Sequence, residues 1–450
     1  MDIKQKLDPS IDYSARQLTN SSLTHMKLVP LSGNQSVDVS ANSGTDVTFE
    51  LPVQALNLGE SFFQADVTIP AQGDGARAWV HKGITPWSSI QLYTRGGQYL
   101  CNIQERATDY SRVVGSSETT STELEHGDEL GGIFPITDSK AYIGGEGANG
   151  LKSKGYWEQQ YLTVGGPNVA YTFHIKFPLK QLKGTIFQLN KSLLFREILV
   201  LKVKMARGTD FCFQGTDQAN PDATARVINN GLNPAPAITY SNIALYVAQE
   251  RNAAIVEGLS AQTSSEAGMT VFVPYPSIYT NTRSGTTQNV TLRLNKSNGS
   301  SLKSIKNCVF NNTPGDHTDT LGKFRYDRET KGQSKVVSYY ANLNNNRLSE
   351  YDISLANRDD WALHRKMISN SPVYNRHIYR TNWFHQDGFQ NDADKNEVGE
   401  TDTNCYGGLS LDSEVRYDIY YTTANASHRH FTVVNCQKVM NINSRGIVLA

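Results

Sequence analysis

Apolar and polar residues alternate along most of this chain, and long runs with helical spacing are rare. The segments 47–51, 63–69 and 171–177 each place apolar side chains at every second position. Because successive side chains of a strand point to opposite faces of a sheet, each segment has one apolar face to bury. Clusters of Gly, Pro, Asn and Asp separate the segments, as turns between strands require. The pattern predicts an all-β protein.

Further strands are predicted wherever the alternation resumes. In the segment 238–247 the apolar positions shift by one residue after Tyr240. Two apolar runs near the end of the chain, 431–434 and 439–442, are interpreted as a pair of strands. The other predicted strands are 90–92, 195–205, 270–273, 290–294, 335–340 and 415–421.

Three short helices are predicted, and Asn102 and Glu105 have the spacing of a capping box at the start of the first. Helices this short and few cannot cover the predicted sheets, so each sheet must pack on another sheet. The predicted helices are 102–114, 251–259 and 357–371, and their expected inward-facing residues are Ile103, Ala107, Tyr110, Val114, Ala254, Ile255, Leu259, Trp361, His364 and Met367.

The length of 450 residues is enough for two large β domains. The segment 251–265 separates two halves that share a layout, because each begins with strands, carries a short capped helix and ends on a paired run of strands. We therefore predict an N-terminal arm at 1–25, a first domain at 26–250 and a second domain at 251–450. Long loops, which are often functional, are predicted at 116–155, 209–236, 311–332 and 386–404.

Composition excludes several classes of protein. The 43 Lys and Arg residues balance 43 Asp and Glu residues, so the chain as a whole is neither a polybasic nucleic-acid binder nor an acidic tail protein. Charged residues make up 19% of the chain, below the roughly 25% of globular domains, which suits close packing against neighbours. The N terminus lacks an apolar core and no apolar stretch is long enough to span a bilayer, so neither a signal peptide nor a transmembrane segment is expected.

Two glycine- and acid-rich motifs suggest ligand sites but lack the context that such sites need. Residues 145–150 match G-x-G-x-x-G, yet a loop rich in Ser, Thr and Gly precedes them instead of a buried strand. Asp392 and Asp394 begin like a calcium-binding loop, but Glu397 replaces the turn glycine and Thr403 replaces the final bidentate glutamate. Both segments are interpreted as solvated loops.

Histidines and cysteines give no metal or disulfide pattern. His428 and His430 share one side of a predicted strand, but no further zinc ligands are evident, so both are interpreted as surface or interface residues. The five cysteines are odd in number, widely spaced and without a C-x-x-C pair, so buried free thiols are expected.

Motifs of catalysis are missing from the sequence as well. No nucleophile elbow, P-loop or H-E-x-x-H motif occurs, and the acidic residues are scattered. We therefore predict no catalytic residues, no cofactor-binding residues, no metal-binding residues and no cofactor. The chain is not expected to be an enzyme.

Four stretches, 89–100, 236–247, 340–374 and 431–448, carry a likeness to a known family. The first runs from a strand through a glycine turn toward a helix, and the second runs into the helix between the halves. With the third stretch and the C-terminal strands, they resemble the double jelly-roll major capsid proteins of DNA viruses. The polinton-like virus and virophage group is the most similar part of that family.

The resemblance implies a fold and a function. It implies two antiparallel eight-stranded jelly-roll sandwiches side by side, with a few short helices and long loops. It further implies a homotrimer, a pseudo-hexameric capsomer that tiles an icosahedral shell around a double-stranded DNA genome. The expected partners are other copies of the chain, penton proteins and minor capsid or cement proteins, without a specific nucleic-acid site. The expected location is the virion, assembled inside the infected host cell.

Two other functions compete with the capsid hypothesis. A non-enzymatic β-sandwich binding protein, such as a viral spike or a lectin-like module, has the same strand pattern. A β-sandwich hydrolase needs paired carboxylates or a metal in a cleft. A penton protein fits less well, because pentons of such viruses usually have one jelly roll. Assembly state separates the first alternative from the capsid hypothesis.

Overall fold

Strands make up most of the described part of the computed structural model. Two α-helices, α1 (Ala107–Tyr110) and α2 (Ala253–Ser264), and 3-10 turns at Leu179–Gln181 and Ile186–Gln188 accompany the strands in the described part of the chain. The all-β prediction is confirmed. The structure describes residues 22–39, 44–70, 76–81, 85–111, 114, 161–163, 170–207, 212–216, 227–229, 238–311, 336–348, 350–354, 383–388, 408–423 and 426–450.

The first sandwich is built from strands that lie before α2. Its strands are β1 (Leu23–Leu28), β2 (Val37–Val39), β3 (Asp46–Leu51), β4 (Ala55–Ile69), β5 (Ala76–His81), β6 (Trp87–Thr94), β7 (Tyr99–Ile103), β8 (Tyr161–Thr163), β9 (Tyr171–Pro178), β10 (Ser192–Leu194), β11 (Leu199–Met205), β12 (Cys212–Thr216), β13 (Val227–Asn229) and β14 (Ile238–Glu250).

These strands form three antiparallel sheets. Sheet 1 has the order β1-β14-β4-β10, with β2 also on β14 and β9 also on β4, and sheet 2 has the order β3-β11-β6-β7. Phe49, Phe63, Trp87 and Phe177 meet edge to face in the core between them, with ring centroids 5.1–6.4 Å apart. Sheet 3, with the order β13-β12-β5-β8, is made from three of the connections between strands of sheets 1 and 2.

The second sandwich follows α2 and has two antiparallel sheets. Sheet 4 has the order β15-β24-β17-β21, with β22 on β17 and β25 on β24, and sheet 5 has the order β16-β23-β18-β19, with β20 on β18. The strands are β15 (Met269–Ser284), β16 (Thr287–Leu294), β17 (Ser301–Asn311), β18 (Val336–Leu343), β19 (Asn346–Arg347), β20 (Ile353–Ser354), β21 (Trp383–Gly388), β22 (Leu409–Ser410), β23 (Val415–Thr423), β24 (Ser427–Asn443) and β25 (Gly446–Leu449).

Both sandwiches follow one strand order. In sheets 1 and 4 the last long strand lies between two early strands, as β14 lies between β1 and β4, and β24 between β15 and β17. In sheets 2 and 5 the preceding long strand has the same central place, as β11 lies between β3 and β6, and β23 between β16 and β18. This interleaving is the jelly-roll arrangement. The count of eight strands per sandwich stays a prediction, because short additional strands extend these paths.

A bulge explains the shift in alternation after Tyr240. The pairing of β14 with β4 slips between Ser241 and Ala244, and Asn242 adopts a left-handed backbone with φ of 52°. Asn tolerates this conformation better than most residues. The extra residue returns the following side chains to the core face, so Ile243, Leu245 and Val247 are all buried.

Several predicted strands have different bounds. The strand predicted at 195–205 begins at Leu199. The two strands predicted at 431–434 and 439–442 are one long strand, β24, and its hairpin partner is β25. The predicted loops 209–236 and 386–404 contain β12 and β13 and the end of β21, since strand pairing with distant segments orders residues that alone read as turns.

The predicted helices also need correction. Asn102 lies in β7 and caps nothing, because α1 begins only at Ala107, although Ile103, Ala107, Tyr110 and Val114 are all buried as predicted. Helix α2 is longer than predicted and begins after Asn252, whose side chain accepts a hydrogen bond from the Ala254 amide. Ile255 and Leu259 are buried, but Ala254 is exposed. The predicted helix 357–371, most of the loops 116–155, 311–332 and 386–404, the motif 145–150 and the Asp392 loop lie outside the described residues.

Candidate assembly interface

The contact between the two sandwiches covers the outer face of sheet 4. Sheet 4 has one face in the interior of the second sandwich, where Val434 and Cys436 pack with Ile305. Its other face belongs to the core of the first sandwich, through Phe431 and Val433. Because both faces are covered, β24 has eight consecutive buried residues instead of an alternating pattern. The two sandwiches are therefore joined by a shared apolar core.

Hydrogen bonds at the ends of α2 hold the connection between the sandwiches. Glu250, at the end of β14, accepts hydrogen bonds from the backbone amides of Ser22, Arg251 and Asn252, at 3.0, 3.1 and 2.9 Å. Arg196 of the first sandwich donates to the Ser260 carbonyl at 2.7 Å. These contacts hold α2 against the first sandwich. The Glu250 carboxylate satisfies backbone amides at the turn that leads into the helix, and the Arg196 guanidinium satisfies a carbonyl near its C-terminal end.

A buried ion pair crosses the contact. The Arg429 guanidinium of β24 lies 3.0 Å from the Asp109 carboxylate of α1, and their side chains are only 16% and 11% exposed. Near it, Tyr110 donates a hydrogen bond to the Lys183 carbonyl. The backbone passes so close at Gly184, which has a φ of 72°, that a Cβ there would lie 2.7 Å from the Tyr110 hydroxyl and 3.1 Å from Asn435 Oδ1. Glycine is required by both its conformation and this approach.

The edge strand of sheet 2 packs on the first strand of sheet 4. Strand β7 of the first sandwich lies against β15 of the second. Burial, together with the neighbouring Cys101 and Tyr99, raises the pKa of Tyr275 on β15 to about 12. The Lys438 ammonium sits 4.1 Å from the centre of the Tyr275 ring. The two sandwiches therefore contact each other here through the edge of sheet 2 and the first strand of sheet 4.

The outer face of sheet 1 carries an aromatic cluster. Phe62 and Tyr246 stack with ring centroids 4.7 Å apart and an interplanar angle of 9°, and the His25 ring lies 5.4 Å from Phe62. His25 is exposed, and Phe62 and Tyr246 are half-buried. We call these three residues the sheet 1 aromatic cluster. This cluster was not predicted from the sequence. The signal for it was Phe62, an aromatic residue next to Phe63 at a position where the alternation calls for a polar residue.

Polar contacts flank the sheet 1 aromatic cluster. The Asp66 carboxylate lies 2.5 Å from His174 Nδ1, and Asn242 Nδ2 donates to it at 2.5 Å. Burial alone raises the pKa of Asp66, but the hydrogen bonds from His174 and Asn242 and the His174 charge lower it overall. This face is therefore mixed, with one aromatic region and one hydrogen-bonded polar region, a composition typical of interfaces between proteins.

The outer face of sheet 2 is charged. Lys202 Nζ lies 2.7 Å from Asp46, Arg95 lies 2.9 Å from Glu50, and Lys204 pairs with Glu105. The hydrogen bond to Asp46 raises the pKa of Lys202. Exposed ion pairs of this kind stabilise a fold little and keep a surface hydrated. Sheet 2 therefore has the character of a solvent-facing surface.

The outer face of sheet 5 combines aromatic and charged residues. Tyr340 and Tyr420 stack at 4.6 Å with an interplanar angle of 11°, and the Arg347 guanidinium lies 4.2 Å above the Tyr340 ring. Arg416 Nε lies 2.8 Å from the Asp418 carboxylate. At the edge of the same sheet, Leu348 and Tyr351 are 39% and 54% exposed.

His428 and His430 lie inside the second sandwich, so their interpretation as surface or interface residues is wrong. They share one face of β24, as predicted, but both are fully buried because sheet 5 covers that face. Tyr421 stacks on His430 at 5.3 Å, and its hydroxyl lies 2.9 Å from His428 Nε2. Burial, the Arg283 charge and His428 lower the pKa of His430 to about 3. Both residues belong to the core.

The described residues include few groups suited to reactive chemistry. Within those ranges, no cluster of three His, Cys, Asp or Glu side chains is placed to hold a metal ion. Cys101, Cys308 and Cys436 are buried and form no disulfide, and burial raises the pKa of Cys101 and of Cys436 to about 12. No helix in the described ranges has the length and apolar character needed to cross a membrane.

Comparison with solved structures finds the same fold across nearly the whole chain. The structure of VP54 from PBCV-1, fitted into a reconstruction of the virophage Sputnik, is 10% identical, and the match covers 97% of this chain and 98% of that chain with a TM-score of 0.55. The Sputnik virophage structure is 11% identical over 99% of this chain and 92% of that chain, also with a TM-score of 0.55. The mavirus major capsid protein is 10% identical over 95% and 90%, with a TM-score of 0.52.

Sequence comparison adds no closer relative. No protein-family model matches the chain, and no curated protein sequence matches it. The structural matches cover both sandwiches. The chain therefore has the double jelly-roll fold found in these viral capsid structures, as the resemblance implied.

Proposed function

We propose that this chain is the major capsid protein of a double-stranded DNA virus. Three copies form a pseudo-hexameric capsomer, and capsomers tile an icosahedral shell in the virion. One observation carries the proposal: the full-length match to capsid structures includes both sandwiches and the way they follow one another in the chain. A likeness limited to one sandwich would be equally compatible with a spike or a lectin-like module.

The joined sandwiches support this role physically. Since they share an apolar core and a buried ion pair, one chain is a building block with two similar units in a fixed relation. Three such chains around a threefold axis present six similar walls. Closed rotational symmetry then ends the ring at three copies. Zero net charge allows many such rings to lie side by side without strong mutual repulsion.

Further parts of the proposal concern organisation and partners. We propose an arm at residues 1–25, a first jelly roll at 26–250 and a second at 251–450. Neighbouring trimers, penton proteins and minor capsid or cement proteins are the partners, and the chain acts without a catalytic, cofactor or metal site. The composition and the motifs of the sequence support a structural role over an enzymatic one.

Native mass spectrometry of the recombinant protein at low micromolar concentration tests the proposal. We expect trimers, because obligate assemblies of this kind bury more than about 2,000 Å² per contact. Negative-stain electron microscopy of the same sample should show particles with a six-sided outline. A chain that remains a monomer or a dimer under these conditions would contradict the capsid assignment and favour a binding module.

A further inference from the structure

Three consecutive residues of β24 connect the interior of the second sandwich with the contact between the sandwiches. His428 and His430 point into the second sandwich, and Arg429 between them points the other way and meets Asp109 of the first sandwich. We propose that His428 and His430 form an acid-sensitive latch, which holds the two sandwiches together at neutral pH and releases their contact when the imidazoles take up protons. The latch is a property of the single chain, and its use to open a virion in an acidic compartment rests on the proposed function.

Tyr421 of β23 covers both imidazoles. Its ring stacks on His430 with centroids 5.3 Å apart and an interplanar angle of 17°, and it meets His428 at 5.6 Å and 69°. His428 and His430 are 0% and 1% exposed, so a charge on either ring forms away from water. The packing of sheet 5 on sheet 4 at this end therefore depends on imidazoles that stay neutral.

The hydrogen bonds of the pair also suit neutral rings. Burial raises the pKa of Tyr421, so its hydroxyl keeps a proton that neutral His428 accepts at Nε2, 2.9 Å away. Thr432 donates its hydroxyl proton to Asn307 Oδ1 at 2.9 Å and accepts the 3.4 Å contact from His430 Nδ1. An imidazolium has no acceptor nitrogen, so protonation of His428 removes the acceptor of the Tyr421 proton.

The neighbouring strands bring one cation to the pair. Among the described residues, the titratable and charged groups that line the interior around the pair are Arg283 of β15, Tyr417 and Tyr421 of β23, and Tyr339 of β18. Asp418 of β23 lies on the outer face instead, with Arg416. Arg283 pairs with His428 in the strand register, and its Nε is buried. Protonation of the pair therefore places a second positive charge beside the Arg283 guanidinium.

The direction of the response follows from these surroundings. Burial, the Arg283 charge and His428 lower the pKa of His430 to about 3, whereas an exposed histidine has a pKa of about 6.5. An opened state in which the ring reaches water therefore binds a proton that the closed state does not. Opening is unaffected above about pH 6.5, and at about pH 5 this one ring raises its equilibrium constant about 30-fold.

Opening at the pair reaches the contact between the sandwiches through the start of β24. Only a few residues, from Thr423 to Ser427, join β23 of sheet 5 to β24 of sheet 4, so separation of the two sheets here displaces the first residues of β24. That displacement removes Arg429 from Asp109, which it contacts at 3.0 Å. Asp109 keeps a second partner in Arg106, 4.0 Å away on the same helix, and this lowers the cost of release.

Hydrogen exchange of the full-length protein, measured by mass spectrometry, tests the latch. Labelling times are scaled to the intrinsic exchange rate at each pH. We expect peptides covering 427–434 to exchange about 30-fold faster at about pH 5 than at about pH 7.5 after this correction, and peptides covering α1 to follow them. Peptides covering β3 and β11 of sheet 2 should keep their rates, which distinguishes release from unfolding of the whole chain.

Variants identify the groups responsible. H428Q/H430Q lacks both titrating rings and should change by less than about threefold between the two pH values. R283Q keeps both rings but loses the charge that opposes their protonation, so its acid response should be smaller than that of the wild type. K202Q is the matched control, because it removes one positive charge from the outer face of sheet 2, and it should respond like the wild type.

The outcomes separate the latch from the proposed function. The latch is overturned if 427–434 shows no selective rise in acid, if α1 stays protected while 427–434 opens, or if H428Q/H430Q keeps the wild-type response. The wild-type series decides the first two points even where a variant fails to fold. Native mass spectrometry of the same sample at neutral pH tests the capsid proposal independently. Trimers without selective acid opening overturn the latch alone, and selective acid opening without trimers overturns the capsid proposal alone.

Discussion

The two sandwiches share a strand order but differ in what lies on their outer faces. In sheet 4 the central strand β24 is buried on both sides, because the first sandwich covers one face and sheet 5 the other. In sheet 1 most of the strand β4 alternates between buried and half-buried residues, so one of its sides is partly accessible to solvent among the described residues. The strand order of each sandwich therefore depends on its own strands and turns, whereas the burial of a sheet's outer face depends on what packs against that face.

The connections between strands also differ between the two sandwiches. In the first sandwich the connections between β4 and β6, β7 and β9, and β11 and β14 contribute strands that pair as sheet 3. In the second sandwich the link from β23 to β24 is only a few residues, from Thr423 to Ser427. A jelly roll tolerates both, because connections at its ends lie outside the packed core.

The largest expected contrast between the two outer faces is in the effect of removing an aromatic ring. F431A should destabilise the protein by about 3–5 kcal/mol, the cost of truncating a fully buried Phe. F62A removes a half-buried ring from the outer face of sheet 1 and should cost about 1 kcal/mol or less in the monomer, in proportion to the smaller area buried. Urea unfolding of both variants measures the difference. Equal losses would mean that sheet 4 is not covered as described.

A second contrast is between ion pairs that differ in burial. D109N leaves Arg429 without its carboxylate partner inside the contact between sandwiches and should cost about 2–5 kcal/mol. Lys202 and Asp46 form a pair on the exposed face of sheet 2, so K202A should cost less than about 1 kcal/mol. Differential scanning calorimetry compares the two. A K202A loss as large as that of D109N would contradict the assignment of the sheet 2 face to solvent.

The smallest contrast concerns acid stability and is specific to the second sandwich. Burial lowers the pKa of His430 in the folded protein to about 3, from about 6.5 for an exposed histidine, so the unfolded state binds the extra proton between these values. Stability should consequently be complete above pH 6.5 and fall by about 1.4 kcal/mol per pH unit as the pH decreases toward 3.

The variant H430Q isolates this contribution, because glutamine does not titrate. Its unfolding free energy should fall less steeply between pH 6.5 and 5 than that of the wild type. The same slope in H430Q and in the wild type would assign the acid sensitivity to other groups.

Local patterns in the sequence predicted most of the framework. Alternation identified β3, β4, β9, β14, β16 and β23, because each has one face in a core and one outside it. The same rule failed at β24, where burial on both faces removes the alternation and a short polar interval looked like a turn. It also failed at His428 and His430, whose polarity suggested a surface although sheet 5 covers them. The sheet 1 aromatic cluster was missed because its members are distant in sequence.

The amino-acid sequence by itself determined the all-β class, the positions of most of the long strands, and the shift at Asn242, because these depend on side chains within a few residues of one another. Only the tertiary structure decided that Asp109 meets Arg429 and that β12 and β13 pair in a separate sheet. Those outcomes join residues separated by tens to hundreds of positions. The periodicity of the sequence cannot predict these contacts, because it indicates which face of a sheet a side chain takes but not what packs against that face.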